Sequence, residues 1–130
     1  LWPLLWMQRW QAQKQQLSAS ANNIANATTT GALPTPQSPA STVYKPLTVS
    51  YTALENGGVT ANVTADENGF SPVYNPSDAY ANAEGLVAAP NVDISQEIVN
   101  LMEAKTVFKA NVNVLKTQDR MLGALLDLIK

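Results

Sequence analysis

The chain has 130 residues, 45% of them apolar, only 14% charged, and a formal net charge of -2, with no cysteine and no histidine. That composition leaves room for one ordinary domain and excludes disulfides, thiolate or imidazole metal sites, and nucleophiles built on Cys or His. It also holds no basic block to neutralise phosphates, so nucleic acid is not expected as a partner, and neither a cofactor nor a small-molecule substrate is expected.

The opening Leu1-Trp2-Pro3-Leu4-Leu5-Trp6-Met7 is apolar but too short to span a bilayer, and Arg9 and Lys14 follow it where a secretory leader would have its apolar core. No transmembrane span is expected. From about residue 4 to residue 27, Trp6, Trp10, Leu17, Ala21 and Ile24 recur at helical steps, predicting a helix with a thin apolar stripe. Asn22, Asn23 and Asn26 are poor helix formers, and Thr28-Thr29-Thr30-Gly31 ends the element. Residues 1–30 are therefore expected to be an N-terminal helical unit. Residues 31–47 carry Pro34, Pro36, Pro39 and Pro46, which remove donors and disfavour helix, so a Pro-rich linker is expected there, extended or loosely ordered.

Residues 48–90 are expected to form a small β-hairpin and extended insert. Leu47, Val49 and Tyr51, then Val59, Ala61, Val63 and Ala65, alternate with polar residues on either side of Asn56-Gly57-Gly58, a strong hairpin signal. A lone hairpin is marginal in water, so it must lie on another element. Asp66 to Gly69 is a second turn, and Phe70 to Ala89, interrupted by Pro72 and Pro76, is expected to be extended chain.

Residues 91–130 are expected to be one long helix, capped by Asp93 with Gln96 in a capping-box spacing and reaching roughly 55 Å. Ile94, Ile98, Leu101, Phe108, Val112, Leu115, Leu122, Leu126 and Ile129 recur at coiled-coil steps, interrupted by Lys105 and Asp119. A second stripe, Val107, Val114, Met121 and Leu128, repeats every seven residues with Met102 and Leu125 beside it. The fold class expected is mainly α with a small β insert, the terminal helices paired as a coiled-coil-like hairpin. Leu17, Ile24, Ile94, Ile98, Leu101, Phe108, Val112, Leu115 and Leu122 are assigned to packing within the subunit. The second stripe has no partner in the chain, so Val107, Val114, Met121, Leu125 and Leu128 are assigned to contacts between subunits. Asn22, Asn23, Asn26 and Asn111 are assigned to the same contacts, as register-setting polar residues. The helix pair alone buries too little to offset its ordering entropy, so both ends are expected to be largely disordered before assembly. The carboxylates Asp66, Glu67, Asp78 and Glu84 lie among turn residues and are read as solvated turns.

Ala21-Asn22-Asn23-Ile24-Ala25-Asn26-Ala27-Thr28-Thr29-Thr30-Gly31 resembles the N-terminal signature of the bacterial flagellar axial proteins. Asn91-Val92-Asp93, Glu97, Met102, Ala110-Asn111 and Leu125 to Leu128 are similar to the C-terminal helix of the same family. Val73 to Ser77 and Ala81 to Val92 are similar to its proximal-rod members. The resemblance runs from about Leu17 to Lys130. It implies a non-enzymatic subunit of the basal-body rod in the periplasm, exported without a cleaved signal peptide by the flagellar type III apparatus. Its partners would be copies of itself and other axial proteins, joined by helix packing into a tube that transmits torque. A self-contained helical-hairpin module that captures a partner helix or an envelope surface is the alternative, and an enzyme a distant third.

Overall fold

A computed structural model describes residues 2–129, apart from the side chains of Trp2, Pro3, Leu4, Trp6 and Leu115; Trp6 of the N-terminal stripe and Leu115, assigned above to packing within the subunit, thus lie outside the described side chains. Helix α1 spans Trp2–Ala25, strands β1 and β2 span Leu47–Ala53 and Val59–Ala65, β3 and β4 span Phe70–Tyr74 and Leu86–Pro90, and helix α2 spans Ile94–Ile129. The chain is mainly α with a small β insert, and the two helices pack along each other.

Helix α1 stops where its own polar side chains compete for the backbone. Asn26 Nδ2 donates to the Asn22 carbonyl at 2.9 Å and Thr29 Oγ1 to the Asn26 carbonyl at 2.7 Å, closing the last turn before the three threonines. Helix α2 starts at the expected cap: the Gln96 amide donates to Asp93 Oδ1 at 3.2 Å. The box is only half made, because Gln96 turns its own amide to Asn100 Oδ1 at 3.0 Å.

The first hairpin forms around the Asn-Gly pair. Gly57 takes φ +87°, the left-handed conformation the turn requires, and β1 pairs β2 antiparallel from Leu47↔Ala65 to Ala53↔Val59. It rests on α1 at three points, with Leu47 beside Asn23, Tyr51 beside Gln16, and Gly58 against the Gln8 side chain. A side chain at 58 would overlap that glutamine.

Two segments depart from expectation. Phe70 to Ala89 is not merely extended: β3 pairs β4 antiparallel from Phe70↔Pro90 to Tyr74↔Leu86. No period-two alternation announces it, because β4 reads Leu-Val-Ala-Ala-Pro and is covered on both sides, with Val87 and Ala88 fully buried. The loop joining the strands is held by Asx turns: Asn82 Oδ1 accepts from the amides of Glu84 and Leu86, and Asp78 Oδ1 from that of Tyr80.

The proline-rich connector is ordered as well. Gly31 exchanges both backbone hydrogen bonds with Ala88, at 2.9 and 2.8 Å, adding a bridge to β4. Ala32 is tied back to Thr42 and Ser41, and Val43 is buried. The strands of this loop cross so closely at Gly31 that a methyl there would strike the Thr42–Val43 backbone. Prolines prevent a ladder, so side-chain hydroxyls supply the closure instead. Among the described residues, the fully or nearly buried apolar ones are small, Ala12, Ala19, Val43, Val87, Ala88 and Ala104.

Candidate assembly surface

Asn23 occupies a helix position that costs propensity, and its side chain explains why. Its Nδ2 donates to the Leu47 carbonyl at 2.8 Å, while its Oδ1 accepts from the Leu47 amide at 2.8 Å and from the Tyr44 hydroxyl at 2.7 Å. The amide thus acts as a one-residue strand partner for the start of β1. With 2% of Asn23 exposed, it cannot serve as the intersubunit register residue assigned to it; it fixes the insert on α1 within the subunit. Burial raises the Tyr44 pKa, and the nearby Glu97 carboxylate raises it further, so the phenol stays a donor. Asn22 is exposed and Asn26 half-buried in the helix cap.

The seam between the helices is not the row of large residues expected. A covered row of α2 runs through Glu97, Leu101, Ala104, Phe108, Asn111 and Gln118, with the half-buried Asn100, Val112 and Val114 beside it. Among the described residues α1 buries Ala12, Ala19, Ser20 and Asn23. Gln8, Gln16 and Asn23 meet the β1–β2 hairpin, while Trp10 meets Phe108 of α2 with ring centroids 5.6 Å apart. Leu17, Ile24, Leu101, Phe108 and Val112 are half-buried.

Ile94, Ile98 and Leu122 are 45%, 44% and 58% exposed, so the intrasubunit packing assigned to them is not formed. Phase sets Ile94 and Ile98 apart, roughly 80° and 120° around the helix from Ala104 at 100° per residue. Leu122 is in phase with Ala104 but lies in residues 119–129 of α2, which are exposed throughout. Asn111 is only 7% exposed and lies in the seam, not on an outer face. Its Nδ2 has no partner, nor has the buried Gln8 Oε1, which lies against Gly58 of the hairpin.

Two further faces of α2 are open. One carries Val107, Met121 and Leu128, at 43%, 62% and 83% exposure, with Val114 half-buried between them and Leu125 at 55% on its edge. Its upper end enters a groove of about 620 Å³ walled by Gln13, Gln16 and Tyr51 on one side and by Val99, Glu103 and Val107 on the other. The remaining face holds Ile94 and Ile98, then Lys105, Lys109, Lys116 and Arg120. Among the described residues no helix is long and apolar enough to cross a membrane, and no group of acidic side chains is placed to hold a metal. What this arrangement can do is bind other helices along two faces.

Comparison with known proteins points the same way. Residues 7–32 match the family model described as "Flagella basal body rod protein", and residues 83–128 that described as "Flagellar basal body rod FlgEFG protein C-terminal". The chain is 36% identical over 112 residues to the flagellar basal-body rod protein FlgC of Escherichia coli O6:H1, covering 85% of this chain and 83% of the relative. It is 39% identical over 75 residues to FlgC of Bacillus subtilis, covering 58% and 50% of the two chains. With FlgC of Agrobacterium fabrum the identity is 28% over 126 residues, covering 92% and 87%.

Proposed function

This chain belongs to the flagellar basal-body rod protein family and is a structural subunit of the rod, and from that premise we propose that it polymerises through the two open faces of α2. The observation that carries this is the apolar stripe Val107, Val114, Met121 and Leu128, exposed in the described structure except for the half-buried Val114. Contiguous exposed apolar surface of this kind marks an interface. Two non-equivalent faces on one helix make contacts head to tail, which extend a helical array and do not close a dimer.

In this reading the partners are copies of the chain and neighbouring rod proteins. The array forms a tube in the periplasm, torque passes along it through helix packing, and the subunits reach it by the flagellar type III export apparatus. The role is structural and not catalytic, in keeping with the rod names its relatives carry. In this reading Asn22, exposed near the end of α1, and Asn26, half-buried just beyond it, meet neighbours in the tube.

The test is complementation in the source bacterium. Deletion of the coding sequence abolishes motility and rod assembly in purified basal bodies, and the wild-type chain restores both. A chain restoring motility with Val107, Met121 and Leu128 all changed to Ser would refute the role given to the stripe.

A further inference from the structure

The two open faces of α2 differ in chemistry, and the difference specifies what each accepts. At 3.6 residues per turn the stripe through Val107, Val114, Met121 and Leu128 lies roughly 140° around the helix from Lys105, Lys109, Lys116 and Arg120. These four cations recur at steps of four, seven and four, and all four side chains are exposed. The ion pair present among the described residues joins Lys45 to Glu67 in the insert, far along the chain from this stripe. The apolar face, by contrast, begins in the groove under Tyr51, and the charged residue lining that groove is Glu103.

An occupant of the groove must bring exposed aliphatic side chains with cations close behind them. Within this chain, the exposed apolar groups of the insert do not qualify. Val73, Tyr74 and Tyr80 stand on the insert beside Asp78 and Glu84, and residues 31–92 hold one lysine against five carboxylates. The face of α2 that starts with Ile94 and Ile98, at 45% and 44% exposure, is followed by Lys105 and Lys109 and has the required order.

Resting on the rod-subunit reading above, we infer that the groove bounded by Gln16, Tyr51, Val99, Glu103 and Val107 receives the Ile94–Ile98 face of a second copy of this chain, with Lys105 or Lys109 of that copy against Glu103. The receiving and inserting faces lie on different sides of one helix. Each bound copy therefore presents a fresh groove, and the contact propagates in one direction. Apolar burial supplies the attraction, and the charge pair fixes which face enters.

Because the full chain contains no cysteine, disulfide trapping reads this contact cleanly. A chain carrying Gln16→Cys is mixed under mild oxidation with one carrying Ile98→Cys, at concentrations where the wild type associates. The expected product is the mixed dimer, with homodimers of the Ile98→Cys chain at least fivefold less abundant. A chain bearing both changes gives a ladder of dimer, trimer and higher species. Glu103→Lys in the receiving chain lowers the mixed product at least fivefold, and Lys105→Glu with Lys109→Glu in the inserting chain restores it. All three charged positions are exposed, so these changes leave the fold intact. Homodimers of the Ile98→Cys chain as the main product, a doubly substituted chain that stops at dimer, or a yield indifferent to the charge swaps would each overturn the inference. Wild-type chain present in purified basal bodies while the mixed dimer is absent defeats this contact alone. Absence of the chain from basal bodies defeats the rod-subunit reading itself.

Discussion

Replacing Asn23 by Ala isolates the device that joins the helical and β parts of the subunit. Three hydrogen bonds are lost, to the Leu47 amide, the Leu47 carbonyl and the Tyr44 hydroxyl, all between 2.7 and 2.8 Å. At about 1 kcal/mol net for each, the change removes about 3 kcal/mol of local stability. Leu47 and Tyr44 are only half-buried, so water can reach the freed groups and the cost stays near that sum. About 3 kcal/mol corresponds to roughly a hundredfold in an opening equilibrium. Hydrogen exchange followed by NMR on the folded chain should show protection of the Leu47 amide falling by that factor. The β1–β2 pairs distant from the clamp, such as Thr52↔Thr60, should change far less. Asn23→Asp is predicted to behave no better, because it keeps the acceptor but faces the Leu47 carbonyl with a second oxygen. If Leu47 protection in the Ala variant stays within threefold of wild type, the clamp does not hold the insert.

Other outcomes follow from the same geometry. Gly58→Val should detach the hairpin tip from α1, since its side chain would occupy the space of the Gln8 amide; loss of the contact between Val59 and α1 in NMR spectra checks it. Asn111→Leu should stabilise the helix pair by about 1–2 kcal/mol, because it removes a buried donor that has no partner; an unchanged or lower midpoint in urea would contradict that. Val107→Ser with Met121→Ser should weaken each subunit contact by about 2–4 kcal/mol, seen as a raised critical concentration for polymerisation with the subunit fold unchanged. The hydrogen bond from Thr30 and the Tyr80 amide hold the Asp78 carboxyl below its ordinary value despite some opposing desolvation. A depressed folded-state pKa stabilises the fold above the ordinary carboxylate value, and that contribution is lost as pH falls through the lowered one. Thr30→Ala should therefore move the Asp78 titration upward in NMR, and an unmoved titration would remove Thr30 as the cause.

The helix at each end, the Asn-Gly hairpin and the Asp93 cap were legible in residue order because each rests on interactions within a few positions. So was the flagellar resemblance, carried by the Asn-rich end of α1 and the segments flanking Asn91. Less legible was the second hairpin, whose buried strand Leu86–Pro90 lacks alternation because both of its faces are covered. The connector's order was illegible for a related reason: it comes from Gly31 meeting Ala88, residues 57 positions apart, through hydrogen bonds that no local pattern encodes.

The sequence by itself determined that α2 carries more apolar surface than one partner could cover, since periodicity follows from composition and helix geometry alone. Which stripe faces inward was decided only by tertiary packing. Ala12, Ala19 and Ala104 are buried while Ile94 and Ile98 are exposed, so small side chains mark an interior that hydrophobicity alone does not. Tertiary structure likewise turned Asn23 and Asn111 from presumed outer contacts into inner ones. An amide's role depends on what the fold brings within 3 Å of it, and that partner lies 24 residues away for Asn23.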